Sequence, residues 1–348
     1  MLSSLARRLI IVETHAGKVG GKTVDSVLCS PSALGKSEGS SMSTDPLNPT
    51  RSRFGRRSTA EEVTAGIDLR GKTAVVTGCN SGLGLETMRV LSLRGADVIG
   101  AARTLEAART ACAKIKGNTR PIACELTDLD SIAKCADELS SSAPPLDMLI
   151  CNAGIMMLPK LEQIRGVEKQ FATNHVGHFL LVNRLLARVK AAPQGRVVML
   201  SSTGHASAPK AGIEFDNLSG EKHYRPLAAY GQSKLANILF AVGLARRLRG
   251  TTATANALHP GVIATNLGRH LSPVFGAVFR ILSFSPLLKS IPQGSATTCY
   301  VATSPALVKV SGVYFSDCNS KVPSLQARDG AMAERLWTVS EELVKGYL

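Results

Sequence analysis

The sequence predicts an α/β protein: one doubly wound parallel sheet with helices on both faces. Three observations predict it. From about residue 70 onward, short aliphatic runs of strand length alternate with longer segments of helical period. Of the 348 residues 44% are hydrophobic but only 4% aromatic, which points to the Ala, Val, Leu and Ile core of buried parallel strands. Several runs end in Gly or Ser, where right-handed crossovers gather the loops at the carboxyl edge of a sheet.

The elements follow in order. Residues 72–77 form an aliphatic run closed by Gly78, read as the first buried strand, and 85–93 form a helix closed by Arg94-Gly95. Strand 96–101, helix 104–116, strand 120–124 and helix 128–139 come next, and Pro144-Pro145 leads into strand 146–150. A long helix is expected over 165–190, then strand 196–200, helix 227–249 and strand 252–258. No internal repeat interrupts the series.

Composition bounds the function classes. The formal net charge is +15, yet the chain has no zinc-finger spacing, no RNA-recognition aromatic pattern and no long Lys/Arg block. A solvated basic surface with a basic N-terminal tail accounts for the charge, and no nucleic-acid partner is expected. The eight cysteines form no C-x-x-C and no Cys/His cluster of metal-ligand spacing, so no metal is expected and a reducing, intracellular compartment fits. Cys79 and Cys151 fall inside motifs described below and are the candidate regulatory thiols. Residues 1–53 stand apart as Ser-, Gly-, Thr- and Arg-rich and poor in acids. They read as a plastid or mitochondrial targeting segment or a disordered extension; without an organelle signal the protein would be cytoplasmic. Their apolar run is too short to span a bilayer.

Four motifs carry chemistry. Thr77-Gly78-Cys79-Asn80-Ser81-Gly82-Leu83-Gly84 lies between the first strand and the first helix. Its glycines let the backbone approach a pyrophosphate, and the helix N-terminus offers free N–H groups to the anion. The second strand ends in Ala101-Ala102-Arg103. An acid there would bind a ribose 2′-hydroxyl; Arg103 suits a 2′-phosphate instead, so NADP(H) is favoured over NAD(H). Arg196 to Ser202 is a buried strand ending in two hydroxyls, and Ser202 is placed to bond a substrate oxygen. Tyr230-Gly231-Gln232-Ser233-Lys234 opens a helix, with Tyr230 and Lys234 on one face. A phenol has a pKa of about 10. A nearby ammonium would lower it toward a working proton shuttle.

In this order the motifs resemble those of the classical short-chain dehydrogenases/reductases, whose fold is Rossmann-type, over 54–348. The family's N-N-A-G appears as Cys151-Asn152-Ala153-Gly154, and its helix asparagine matches Asn174 in Asn174-His175-Val176-Gly177-His178-Phe179. Its P-G-x-x-x-T matches Pro260-Gly261-Val262-Ile263-Ala264-Thr265. Within the family, the stretches beginning Phe171-Ala172-Thr173, Tyr230-Gly231-Gln232, Ile291-Pro292-Gln293 and Tyr314-Phe315-Ser316 are similar to plant dehydrogenases linked to the chloroplast inner-membrane translocon. Retinol dehydrogenases and the WW-domain oxidoreductase are more distant. The sequence departs from the family pattern where Cys151 replaces Asn and where Glu125 replaces the Asp that contacts adenine. Ser81 stands where many NADP-binding members carry a second basic residue.

The resemblance implies a hydride-transfer enzyme acting on the carbonyl or alcohol group of a small molecule. Tyr230 is the acid/base, Lys234 binds the nicotinamide ribose, Ser202 orients the substrate and Asn174 holds a water. The cofactor would lie against Gly78, Asn80, Ser81, Gly82, Leu83, Gly84, Arg103, Glu125, Leu126, Asn152, Ala153, Gly154, Tyr230, Lys234, Pro260, Gly261, Ile263 and Thr265, with the cofactor half of the domain at 70–200.

Residues 267–293, rich in Phe and Leu, are expected to cover the substrate, which would then be lipophilic. An interfacial membrane segment, a packed lid and a homo-oligomer contact are the other readings of that stretch. His175 and His178 read as core or supporting positions. His259 is a candidate for the nicotinamide pocket, and His205 and His223 are candidates for substrate contact. Two further functions compete. One is an NADP(H)-sensing or membrane-complex-associated binding module with little turnover; the other is a sugar-nucleotide epimerase, which the glycine spacing disfavours.

Overall fold

The computed structural model describes residues 51–141, 145–263 and 288–348. The N-terminal extension up to residue 50, Thr265 and most of the expected lid, 267–287, lie outside the described residues.

The first described element is a short helix α1 (Ala60–Val63), closed at its start by a capping box between Thr59 and Glu62. Strands β1 (Thr73–Thr77), β2 (Asp97–Ala102) and β3 (Thr119–Ala123) alternate with helices α2 (Gly82–Leu93), α3 (Leu105–Cys112) and α4 (Leu129–Ser141). Strand β4 (Met148–Cys151) precedes a small antiparallel hairpin, β5 (Gln163–Ile164) and β6 (Val167–Glu168). One α-turn, Lys169–Phe171, and a π-helical turn, Ala172–Val176, lead into α5 (Gly177–Ala191). Then come β7 (Arg196–Leu200), α6 (Pro226–Arg247), β8 (Thr254–His259), α7 (Ile291–Thr303), β9 (Tyr314–Ser316), β10 (Asn319–Ser320) and α8 (Gly330–Leu343).

The main sheet has the order β3-β2-β1-β4-β7-β8-β9-β10, parallel throughout except for β10, which runs antiparallel to β9. The strand order reverses between β1 and β4, which opens a crevice at their carboxyl ends. Strand side chains alternate between two cores. Val75, Leu149, Val197 and Met199 pack on the side of Phe179, Phe240 and Trp337 from α5, α6 and α8. Ala74, Val76, Ile150 and Val198 pack on the side of Met88, Ala108 and Cys299 from α2, α3 and α7. The doubly wound parallel sheet is therefore present; beyond the expected series it adds β9, β10 and α8, and two expected segments differ. The helix expected over 165–190 starts later, because Arg165 and Gly166 both take positive φ (51° and 77°) and turn the chain into the β5–β6 hairpin. The last three residues of the expected lid, 291–293, open α7, where Ser290 and Gln293 form a capping box.

Candidate active site at the carboxyl edge of the sheet

The loop after β1 is shaped by what its glycines lack. Gly78 and Gly82 take positive φ (68° and 54°). A Cβ on Gly84 would lie 2.2 Å from the Gly78 carbonyl oxygen and 2.6 Å from the Asn152 amide nitrogen, so no other residue fits there without moving backbone. Asn152 ties this loop down by donating from Nδ2 to the Thr77 carbonyl (2.8 Å). Ser81, the N-cap of α2, makes no side-chain capping bond. The first N–H groups of α2 thus face the crevice without a side-chain acceptor, the arrangement that receives a phosphate. Leu83 and Ile263 both press on Gly294 of α7, which closes this end of the crevice. Sequence reasoning missed that wall, because Gly294 belongs to no cofactor motif.

Arg103 is exposed at the end of β2 and has no ion-pair or hydrogen-bond partner among the described residues. Asn80 is also exposed. The Glu125 carboxylate turns back on its own loop and accepts from the backbone N (3.1 Å) and hydroxyl (3.0 Å) of Thr127. Leu126 is buried, with its carbonyl against Gly177. Beyond β8, Gly261 has φ +105° and lies under the Lys289 side chain, whose ammonium pairs with Asp317 at 2.5 Å. Pro260 and Ile263 flank it in the chain, and a backbone bridge from Ile263 to Lys289 fixes the return of the chain.

The other wall is built from buried polar groups. Ser202 follows β7 and caps the 3₁₀ turn Thr203–Ser207, its hydroxyl accepting from Gly204 N at 3.0 Å. That turn packs tightly on the first turn of α6. A Cβ on Gly231 would come within 2.6–2.7 Å of Ala208 N and Gly204 O, and one on Gly204 within 2.9 Å of the Tyr230 ring. Tyr230 is thereby held beside Ser202, whose hydroxyl favours the phenolate and so acts to lower the phenol's pKa. One turn along α6, the Lys234 ammonium donates to the Leu200 carbonyl (3.1 Å) and stands 5.8 Å from the Tyr230 ring centre. It also lies 3.3 Å from where a Cβ on Gly154 would be, so Gly154 is what lets the loop after β4 pass beside the ammonium. Asn174, on the π-helical turn, clamps that loop with both ends of its amide. It accepts from Ile155 N (2.8 Å) and donates to Ile155 O (3.0 Å) and the Ser233 hydroxyl (2.9 Å).

Burial sets the electrostatics of both groups. Burial pushes the Tyr230 phenol up, and the bond from Ser202 offsets part of this. Burial also lowers Lys234 to about 8. Desolvation penalises the phenolate and the ammonium alike.

The histidines are occupied with backbone. His205 donates from Nδ1 to the Ser202 carbonyl (2.6 Å) and accepts from Ser324 N (3.1 Å). His259 accepts from Thr203 N through Nδ1 (3.2 Å), and burial lowers it to about 4. The two rings bond the backbone of Ser202 and Thr203, whereas the sequence suggested substrate and cofactor contacts for them. His175 bonds Ser340 in the core (2.8 Å), and His223 pairs with Glu214 at the surface (3.1 Å).

A strand-loop-helix nucleotide cradle facing a Ser–Tyr–Lys wall defines a dinucleotide-dependent oxidoreductase site. The short chain dehydrogenase family model matches residues 72–273, and the chain belongs to that family. It is 45% identical to the chloroplastic short-chain dehydrogenase TIC 32 B of Brassica napus, over 84% of this chain and 95% of that one. It is 41% identical to retinol dehydrogenase 12 of Mus musculus, over 81% and 89% respectively. Among solved structures, an uncharacterized protein from Mycobacterium paratuberculosis matches with a TM-score of 0.65 and 32% identity, over 81% of this chain and 97% of that one. A protein named as an NAD(P)-dependent gluconate 5-dehydrogenase, from Beutenbergia cavernae and holding NADP at low occupancy, matches with a TM-score of 0.56 and 25% identity, over 71% and 95%. The family acts as oxidoreductases on small molecules with NAD(P).

Proposed function

We propose that this protein transfers a hydride between NADP(H) and the carbonyl or alcohol carbon of a lipophilic small molecule, with Tyr230 as acid/base. The observation that carries the reading is the convergence of Ser202, Tyr230 and Lys234, positioned by hydrogen bonds and packing, opposite a glycine cradle that a Cβ would fill.

The residues fit the dinucleotide. Gly78, Ser81, Gly82, Leu83 and Gly84 would hold its pyrophosphate, and Asn152, Ala153, Gly154, Pro260, Gly261, Ile263 and Lys234 its nicotinamide half. Thr265 is proposed on the family motif alone. Arg103, exposed and unpaired, would take a 2′-phosphate, which is the support for NADP(H). Glu125 is already engaged with Thr127, so the backbone of Leu126 is the better candidate at adenine. When bound, the cofactor supplies or accepts the hydride. Ser202 orients the substrate oxygen. Tyr230 gives that oxygen a proton during reduction and takes it back during oxidation. Lys234 steadies the phenolate that results, and Asn174 keeps the loop beside Lys234 in place.

Half-buried Ile155, Met156 and Met157 lie on the loop that passes Lys234, and they give the substrate side an apolar surface. Together with similarity to retinol dehydrogenases, this supports a lipophilic carbonyl compound. The basic, acid-poor N-terminal residues and the chloroplastic relatives support a plastid location. No helix of the described residues is long and apolar enough to cross a membrane.

The test is a panel of retinal, a fatty aldehyde, a steroid ketone and small polar carbonyls, each offered with NADPH and with NADH to the full chain. NADPH-driven reduction of the apolar members is expected. NADPH binding without turnover of any compound would favour the sensing module instead.

A further inference from the structure

One buried side chain to which the proposed mechanism gives no role joins the two walls of the site. His178 lies on α5 and is fully buried. Its Nδ1 is 3.0 Å from the Asn174 carbonyl, one turn back on the same helix face, and its Nε2 is 2.9 Å from the Thr77 hydroxyl at the end of β1. A carbonyl only accepts, so Nδ1 carries the proton and Nε2 is left as an acceptor. The Thr77 hydroxyl is then fully committed. Its oxygen accepts from Asn152 N (2.9 Å) and Ala153 N (3.0 Å), and its proton goes to His178, which is nearer than the alternative acceptor, the Ile150 carbonyl at 3.4 Å. A single tautomer satisfies every group. Burial keeps that ring neutral by lowering it to about 4.

These bonds close a ring. It runs from the Asn152 and Ala153 amides through Thr77 and His178 to Asn174, and from the Asn174 amide back to Ile155, two residues past Ala153. Enclosed by the ring is Gly154, the residue that abuts Lys234. Every other side chain in the ring belongs to a motif of the site.

We infer that His178 is a positioning residue for the reaction: it locks the Asn152–Ile155 loop and Asn174 to the glycine loop, and so fixes the surroundings of Lys234. The inference rests on the proposed hydride transfer. His178→Phe keeps a ring of similar size and loses both bonds. With NADPH and retinal, kcat is expected to fall about tenfold or more, since a displacement near 1 Å costs up to about 100-fold, while NADPH affinity changes less than about threefold. Amide hydrogen exchange across residues 150–158 should rise about tenfold, and this readout needs no turnover. His178→Asn, which keeps an N–H near the Nδ1 position, should fall between wild type and His178→Phe. Val182→Ala, a core truncation on the same helix, should lower Tm yet leave kcat and loop exchange within about twofold. Unchanged loop exchange in His178→Phe would overturn the inference, and so would equal effects of Val182→Ala and His178→Phe. If wild type reduces none of the panel compounds, the hydride-transfer reading fails while loop exchange still decides the role of His178.

Discussion

The two walls of the crevice are made in opposite ways. The wall after β1 is defined by missing atoms: Gly84 leaves room for the Gly78 carbonyl, and α2 begins with uncommitted N–H groups. The wall after β7 is defined by side chains, with Ser202, Lys234 and Asn174 each held by a specific bond and Tyr230 packed against Gly204. The first wall tolerates no added bulk and the second no lost bond. A nucleotide needs backbone contact over a long, polyanionic surface, which bare backbone provides. Proton transfer needs a few side chains fixed in place, which only packing and hydrogen bonds provide.

Substitutions can break this contrast. Removing the Lys234 charge with Lys234→Met should have the largest effect, a loss of about 10³-fold in turnover, with NADPH still bound. Equal losses in turnover and in NADPH affinity would make Lys234 a binding residue only. Gly84→Val should act on the other wall: NADPH affinity falls about 10²-fold, while the circular dichroism of the sheet is retained. Arg103→Ala should weaken NADPH by about tenfold and leave NADH unchanged, because only the 2′-phosphate loses a charge-assisted bond. An equal effect on both cofactors would remove the basis for NADP(H) preference.

The smallest effect is on acid stability. His175, His178 and His259 are lowered from 6.5 to about 3, 4 and 4, all by burial first. Folded values below the ordinary one mean that the unfolded chain binds protons more readily. The stability they contribute is complete above pH 6.5 and is lost as the pH falls from there toward about 4. Tm should drop by roughly 5 °C between about pH 7 and about pH 5. Hydrogen exchange should rise first around Asn174 and Thr203, next to the rings, and not in the glycine loop.

The same contrast governs what is legible in the sequence. Strands β1, β2, β4 and β7 read directly because their runs are buried and largely aliphatic, and the glycine loop reads directly because a missing Cβ is written in the residue type. The start of α5 does not read correctly. Ile164, Val167 and Phe171 keep a helical period, but Gly166 stands inside it, and Glu168 N is taken by the distant Leu218 carbonyl (2.7 Å). His178 reads as a core or supporting position, but the bonding partners of His178, His205 and His259 are not legible, since each depends on a backbone atom that folding places against the ring. The burial of Tyr230 and Lys234 is not legible either: spacing gives proximity on a helix, but not the desolvation that pushes the phenol up and the ammonium down.

The central claim is that Tyr230 moves the proton. Its most direct test is single-turnover reduction of the best carbonyl substrate by NADPH in Tyr230→Phe, with NADPH affinity measured on the same preparation. The account predicts a rate about 10³-fold below wild type with affinity within about threefold. Near-normal single-turnover reduction in that variant would contradict it.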